Sequence, residues 1–337
     1  MRAILIINPV SGDDEPNSEK VATILEWLTR APFIPEVLYT SEQRSAGSIA
    51  REAVAAGVEV VLVGGGDGTV SEVARELVRT PSTLGILPIG TFNNIARSIG
   101  VLADLPVATA IIAAGHVRQI DVGVANDTDY FFEAAGAGLD AALFPVGEEI
   151  KSGRWTRLVE AARLAFRYQP QPFTIRFGRP LSEVLPPSRA KRMTSHALTG
   201  NTIHRKALLV VVANGPYYGG GFTVAAGARL RDGQLTLSIY RRFSKWELFR
   251  HFQSISGGRH RFSPKIETFA AEQVELSSPN PIAVHLDGQL LGTTPVKLRA
   301  LPGALRVFAP EHPGKNEAAH SPECRTQRAK ALPGKVQ

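Results

Sequence analysis

From the start of the chain to about Gly115, short runs of β-branched and aliphatic residues alternate with segments of helical periodicity. Ala3–Ile7, Pro35–Tyr39, Val58–Val63 and Leu84–Leu87 have the composition of strands. Between the first two, Asn17 and Ser18 can cap a helix whose apolar residues Val21, Ile24, Leu25 and Leu28 fall on one face. Ser45–Ala56 predicts a second helix, and Val70, Val73, Ala74 and Leu77 mark a third. Shorter helices are expected at Asn93–Ser98 and Leu105–Ala114. Strands alternating with helices at this spacing are the pattern of successive βαβ units, hence of an α/β domain with a parallel sheet.

After Val117 the texture changes. Arg118–Val124, Tyr130–Ala135, Phe173–Phe177, Lys206–Ala213, Leu235–Tyr240 and Ile282–Leu286 read as strands separated by turn glycines, which predicts a second, mostly antiparallel β domain. One helical stretch, Leu139–Tyr168, interrupts it, with a break at residues 151–153. Gly178–Arg205 is rich in Pro, Ser, Arg and Lys and without periodicity, and reads as a mobile insertion. From Glu311 the chain is polar and punctuated by proline, the composition of a disordered tail. The organisation expected is an α/β domain over 1–117, a β domain over 118–291 carrying the insertion 178–205, and a tail over 311–337.

Composition narrows the partners. The 337 residues carry a formal net charge of +7, which favours an anionic partner: nucleic acid, an acidic membrane surface or a phosphorylated metabolite. No nucleic-acid-binding module is recognisable. The single cysteine, Cys324, leaves no intrachain disulfide framework and suits a reducing cytoplasm. The longest apolar runs, Val58–Val63 and Ala207–Ala213, fall far short of the roughly 20 residues of a membrane-spanning helix. Contact with a membrane, if made, is therefore expected to be peripheral, at its inner face. Oligomeric state is not legible.

The strongest chemical signal is Val60-Val61-Leu62-Val63-Gly64-Gly65-Gly66-Asp67-Gly68-Thr69, a buried strand that runs into glycines just before a helix. Glycines let backbone amides approach a polyphosphate, and the helix N-terminus adds the positive end of its dipole. A tight βα turn without ligand uses the same residues. No Lys-Ser or Lys-Thr follows the glycines, so this is not a Walker loop, and the Gly-x-Gly-x-x-Gly spacing of dinucleotide folds is absent. Asp67 sets a negative charge in the cradle, which would repel phosphate unless it holds a cation or orients a helper group. Two further loops follow strands of the same sheet: Asn8-Pro9-Val10-Ser11-Gly12 and Leu87-Pro88-Ile89-Gly90-Thr91-Phe92-Asn93-Asn94. Ligands of parallel sheets bind beyond the carboxyl ends of the strands, so the three loops can meet in one crevice.

Asn-Pro-x-Ser-Gly, Gly-Gly-Asp-Gly-Thr and Pro-x-Gly-Thr-x-Asn, in this order, resemble the diacylglycerol kinase and sphingosine kinase superfamily, most of all its bacterial soluble lipid kinases. The likeness runs from Ile4 to about Pro310, with Asp121-Val122-Gly123, the Asn214–Gly221 loop and Leu286-Asp287-Gly288 as later landmarks. It implies an NAD kinase/diacylglycerol kinase-like α/β domain, completed by the last strands at about 292–310, and a β-sandwich that receives the lipid. It further implies ATP and Mg²⁺, with transfer of the γ-phosphoryl group to a lipid hydroxyl at a membrane surface. Carried onto this chain, the ATP contacts are Asn8, Pro9, Val10, Ser11, Gly12, Thr40, Gly65, Gly66, Asp67, Gly68, Thr69, Val70, Ser71 and Thr91.

The family's Asp-Gly-Glu, whose acids activate the hydroxyl, is matched by Asp287-Gly288-Gln289. A carboxamide cannot accept a proton at neutral pH, so base work falls on Asp287 or another carboxylate such as Asp67. Arg229-Leu230-Arg231-Asp232-Gly233-Gln234 resembles the family's structural Mg²⁺ loop, with the Asp232 carboxylate and the Arg229 and Gln234 carbonyls as ligands. Cationic groups that can meet phosphate or anionic lipid are Lys151, Arg154 and Arg157, and, in and beside the insertion, Arg189, Lys191, Arg192, Arg205 and Lys206. Two other functions fit the motifs. Gln289 suits a nucleotide- and lipid-binding sensor without turnover, and Gly-Gly-Asp-Gly is shared with NAD kinases.

Overall fold

The computed structural model describes residues 1–9, 18–101, 104–142, 163, 167–184, 199–221, 225, 227–241, 247 and 266–311. Four parallel strands open the fold: β1 (Ala3–Ile7), β2 (Glu36–Tyr39), β3 (Val60–Gly65) and β4 (Thr83–Pro88), in the spatial order β2-β1-β3-β4. β1, β3 and β4 are buried along their whole length, because helices cover both faces of a parallel sheet, which is why they read as unbroken apolar runs. Each fully buried aliphatic side chain, such as Leu5, Leu62 or Leu84, stabilises by about 1.5–3 kcal/mol relative to exposure.

The helices are α1 (Ser18–Trp27), α2 (Ala46–Ala55), α3 (Asp67–Leu77), α4 (Asn94–Ser98) and α5 (Leu105–Ala114). Their ends follow from capping chemistry. The Ser45 side chain accepts the Ser48 N–H at the start of α2, and Asp104 accepts the Val107 N–H at the start of α5. Gly115, at φ 74°, closes α5 in the left-handed conformation that a helix C-terminus favours.

Beyond α5 come β5 (Val117–Ala125), β6 (Asp129–Phe131), β7 (Ala134–Gly138), β8 (Gln171–Phe177), β9 (Thr202–Ala207), β10 (Leu209–Ala213) and β11 (Leu235–Tyr240). They are followed by β12 (Ile266–Ala271), β13 (Gln273–Ser277), β14 (Ala283–Leu286), β15 (Gln289–Thr293) and β16 (Val296–Phe308). One sheet runs β2-β1-β3-β4-β16-β13-β8-β9, with β5 and β6 branching from β16. A second, antiparallel sheet runs β12-β11-β10-β7-β14-β15. Their facing side chains, among them Phe173, Phe177, Leu237, Phe269 and Leu276, form the sandwich core. The architecture is thus an α/β domain with a parallel sheet joined to an antiparallel β-sandwich.

β16 joins the two halves. Its first residues pair with β13 and its last pair parallel with β4, Arg306 opposite Thr83. A register shift between Leu301 and Leu305 lets one strand serve both. β5, which the sequence texture assigns to the second domain, packs Ile120, Val122 and Val124 into the α/β core.

Two segments that read as single strands are each divided between the sheets. The segment read over Tyr130–Ala135 leaves the long sheet as β6 and enters the antiparallel one as β7, crossing at Phe132 and Glu133. The segment read over Lys206–Ala213 crosses at Leu208. Gly178–Arg205 is not wholly irregular: Leu181–Val184 is a short helix and Thr202–Arg205 belong to β9. Residues 185–198 of that segment, most of the expected helix at Leu139–Tyr168, and the tail beyond Glu311 lie outside the described residues. No helix among the described residues is long and apolar enough to cross a membrane.

Candidate active site

The three loops predicted to converge do so at the carboxyl edge of the parallel sheet. The Asn8 N–H donates to the Gly64 carbonyl at 3.1 Å, and the Thr40 N–H donates to Ile7 at 3.0 Å. Asn8 Nδ2 donates to Thr69 Oγ1 at 2.9 Å, tying the first loop to α3. A Cβ on Gly90 would stand 2.4 Å from the Gly66 Cα, so the second and third loops touch backbone to backbone. Gly64 and Gly65 answer to packing: a Cβ there would stand 2.7 Å from Ile7 Cδ1 and 2.7 Å from Thr69 Cβ. A Cβ on Gly68 would meet nothing within 4 Å, and this exposed residue faces open space at the start of α3.

The remaining predicted nucleotide contacts divide by burial. Thr91 is exposed and Pro9 half-buried. The Val70 side chain is part of the α/β core, leaving only its backbone for a ligand. Ser71 is buried, and its hydroxyl has no partner among the described residues. Val10, Ser11 and Gly12 lie outside the described residues.

The carboxylates are arranged differently from their reading in the sequence. Asp67 Oδ1 accepts the Ile95 N–H at 3.1 Å, so it ties α3 to the first turn of α4. Burial raises its pKa, against the pull of the Ile95, Asn94 and Asn93 amides and the Arg97 charge. Asp287, at φ 47° in the turn between β14 and β15, is wrapped by three successive amides. Its Oδ2 accepts from Phe132 N at 2.8 Å, and its Oδ1 from Glu133 N at 2.9 Å and Ala134 N at 3.0 Å. Burial raises its pKa too, while those amides and the Arg75 charge oppose the rise. Gln289 is exposed, and its Oε1 accepts from Arg75 Nη1 at 3.2 Å.

Within reach of the charges of both Asp67 and Asp287 stands an acid that belongs to none of the motifs. Glu133 occupies the crossing from β6 to β7 and is only 6% exposed. Its Oε2 accepts from Asn94 Nδ2 at 3.0 Å and from Gly219 N at 3.2 Å. Burial, then the charges of Asp287 and Asp67, push its pKa well above the usual carboxylate range. The signal was present in the sequence as a lone acid within Tyr130-Phe131-Phe132-Glu133-Ala134-Ala135. A buried carboxylate needs partners, but those partners come from residues 39 and 86 positions away.

Behind the Asp287 turn, His285 is fully buried. The Gly288 N–H donates to its Nδ1 at 3.3 Å, which leaves Nε2 as the protonated nitrogen, 3.1 Å from Asp140 Oδ2 and 2.8 Å from the Tyr218 hydroxyl. Only a glycine fits beneath this group, since a Cβ on Gly136 would stand 2.1 Å from His285 Nε2. Arg97 lies 4.1 Å from the Tyr217 ring centroid, a cation–π contact at the mouth of the glycine loop Gly219–Gly221.

The predicted metal loop borders a cavity of about 970 Å³ lined by Asp121, Arg231, Asp232 and Gly233. Asp121 accepts from Gly233 N at 2.7 Å and from Gly303 N at 2.9 Å, fixing the loop against β16. Asp232 Oδ1 accepts from Gln234 N at 3.1 Å. Partial desolvation raises the Asp232 pKa, and the neighbouring Asp121 charge adds to the rise. Hard oxygen donors beside mutually repelling carboxylates suit a hard cation such as Mg²⁺. Among the described residues no group of three or more His, Cys, Asp or Glu is arranged to hold a metal, so the Asp67–Glu133–Asp287 region is not a carboxylate cage.

The basic residues offer less free charge than the sequence suggests. Arg205 pairs with Glu267 at 3.0 Å, and Arg241 pairs with the same carboxylate. Lys206 is exposed on β9. Lys151, Arg154, Arg157, Arg189, Lys191 and Arg192 lie outside the described residues.

The diacylglycerol kinase catalytic domain matches residues 2–125, and the YegS C-terminal NAD kinase beta sandwich-like domain matches residues 185–309. A protein named diacylglycerol kinase from Staphylococcus aureus is 27% identical over 92% of this chain and 92% of its own length. One named probable lipid kinase YegS from Salmonella typhimurium is 29% identical over 91% of this chain and 96% of its own length. Among solved structures, a putative diacylglycerol kinase from Bacillus anthracis superposes with a TM-score of 0.69 at 24% identity, covering 92% of this chain and 97% of that one. That likeness bears on the fold alone.

Proposed function

This chain belongs to the diacylglycerol kinase catalytic-domain family, as its two matched domains attest, and from that premise we propose that it is an ATP-dependent lipid kinase. The reaction is transfer of the γ-phosphoryl group to a hydroxyl of diacylglycerol or a related lipid. The relatives support a lipid-kinase phosphotransferase in general. The observation that carries the finer reading is the backbone contact of the Gly66 and Gly90 loops, with Asn94 of the latter donating to buried Glu133, whose own N–H donates to Asp287 in its turn.

On this reading the amides of Gly65 to Thr69, with Asn8 and Thr91, bind the polyphosphate at the start of α3. Mg²⁺ that arrives with the nucleotide supplies positive charge to the phosphoryl oxygens. Asp232, with the Arg229 and Gln234 carbonyls, would hold a second, structural Mg²⁺ beside Asp121, which ties this loop to β16. Catalysis is mostly positioning: the loops fix the phosphates, the sandwich turn fixes the hydroxyl, and a carboxylate takes the hydroxyl proton. The lipid is met at a membrane surface by peripheral contact, from the cytoplasmic side.

The test is incubation with γ-labelled ATP, Mg²⁺ and a panel of lipid alcohols in mixed micelles, with NAD as a soluble control. Label in an extractable phospholipid is the expected result. Label in NAD would transfer the assignment to a metabolite kinase, and label in no acceptor across Mg²⁺ and detergent conditions would overturn kinase activity.

A further inference from the structure

The kinase reading leaves the proton acceptor unassigned. Gln289 has no basicity to offer and its carbonyl faces Arg75. The Asp287 oxygens hold the Phe132, Glu133 and Ala134 amides in place, and Asp67 holds the start of α4. We propose that Glu133 is the catalytic base of this chain, accepting the proton of the attacking hydroxyl on Oε1. The proposal rests on the lipid-kinase reading and adds a residue to that site.

Every other polar atom of Glu133 is committed. Its backbone N–H donates to Asp287, and its carbonyl accepts from Asn214 N at 2.9 Å and Gly215 N at 3.2 Å. Oε2 takes the Asn94 amide and the Gly219 N–H. Oε1 alone has no hydrogen bond among the described residues, and Glu133 enters no ion pair among them. A carboxylate fixed on one oxygen and free on the other is pre-organised to take a proton without rearranging its surroundings.

Its location fits the role. Asn94 comes from the third phosphate loop, Gly219 from the glycine loop of the sandwich, and Asp287 from the turn between β14 and β15. Glu133 therefore stands where nucleotide and acceptor lipid must meet. Asn94 Oδ1, beside it, is also buried and has no partner among the described residues.

The step balances. The hydroxyl oxygen bonds to the γ-phosphorus as the bond to the β,γ-bridging oxygen breaks, and that electron pair leaves with ADP. The hydroxyl proton passes to Glu133 Oε1 and then to solvent.

Among the described residues, the titratable groups that reach Glu133 by charge are Asp67 on α3, Asp287 in its turn and Tyr218 in the glycine loop, while Arg97 on α4 acts on Asp67. The acids and burial hold Glu133 protonated to a higher pH than an ordinary carboxylate, so kcat should rise with pH along an acid limb above the usual carboxylate range.

The experiment measures kcat, KM for ATP and the pH profile of wild type and Glu133→Gln. The carboxamide keeps an acceptor oxygen for Asn94 and Gly219. The expected result is a fall in kcat of at least about 100-fold, KM for ATP within about threefold, and loss of the acid limb. Wild-type kcat in Glu133→Gln would overturn the assignment. Should Glu133→Gln fail to fold, the wild-type profile decides: an acid limb above the ordinary carboxylate range that moves when Asn94→Ala removes a hydrogen bond supports it, and a profile flat down to about pH 5 overturns it. A wild type that phosphorylates no acceptor sinks the kinase reading itself, an outcome distinct from equal turnover in wild type and variant.

Discussion

The two walls of the cleft are built of opposite chemistry. The α/β wall presents backbone: glycine loops at the ends of β3 and β4 and the first turn of α3, with side chains confined to bracing, as Asn8 braces Thr69. The sandwich wall presents Glu133 and Asp287, each held by amides or a carboxamide and neither neutralised by an ion pair among the described residues. Backbone amides can receive a polyphosphate without a formal positive charge that would hold it too tightly. Carboxylates would repel that polyphosphate, and they are useful only toward a hydroxyl. On the proposed function, the contrast sorts substrates by wall, phosphate against α/β and hydroxyl against sandwich.

Substitutions that touch one wall should leave the other's function intact. The largest effect is expected for Gly90→Val. Its Cβ would sit 2.4 Å from the Gly66 backbone, a contact that no rotamer relieves. Calorimetric titration should show ATP affinity reduced at least about 30-fold, with about 1–3 kcal/mol of stability lost to overpacking. Undiminished ATP binding would detach the loops from nucleotide recognition.

Next comes Gly136→Ala on the sandwich side, where the new methyl meets His285 Nε2 and Asp140 Oδ2. It should destabilise by about 1–3 kcal/mol in a denaturant melt while leaving ATP affinity unchanged. A matching loss of ATP binding would mean the walls do not act separately.

A smaller effect is the pH dependence of stability. Folding raises the pKa of Glu133, Asp287 and Asp67, so the folded state binds more protons than the unfolded one between the two pKa values. Their contribution is most favourable below the ordinary carboxylate pKa of about 4 and is lost as pH rises through the raised values. The difference in Tm between Glu133→Gln and wild type should therefore grow in the variant's favour from acid to neutral pH. A difference that is constant with pH would contradict the buried, like-charged setting of Glu133.

The smallest effect belongs to Gln289→Glu. A carboxylate at this exposed position would pair with half-buried Arg75 for about 0.2–1 kcal/mol, and kcat should stay within about threefold. A gain of tenfold or more would say that the sandwich wall lacks a base, against the role given to Glu133.

Much of the α/β half was legible because its signals are local. Val60–Gly65 is apolar at every position because both faces are covered, and Ser45 and Asp104 announce the helices they cap. The loops after β1, β3 and β4 could be placed on one edge because parallel strands end on the same side. The sandwich half was read less well. β12, β13 and β15 give no clear strand signal, and Tyr130–Ala135 and Lys206–Ala213 each read as a single strand although each is shared between two sheets. Apolar continuity does not record a change of sheet, and in β10 both faces are covered, so alternation is lost there as well.

The sequence by itself determined the order of strands and helices in the first half, the three loops at the carboxyl edge of the sheet and the likeness of their motifs to a kinase family, since each depends on residues within about ten positions of one another. Tertiary structure decided the setting of the carboxylate for which the base role is proposed. Asp67 and Asp287 are conspicuous in their motifs, yet Asp67 Oδ1 and both Asp287 oxygens hold neighbouring amides. Glu133 belongs to no motif and acquires its setting from Asn94, Gly219 and Asp287, brought together only when the chain crosses between sheets. Burial and charge proximity are long-range properties of the fold, and no local pattern encodes them.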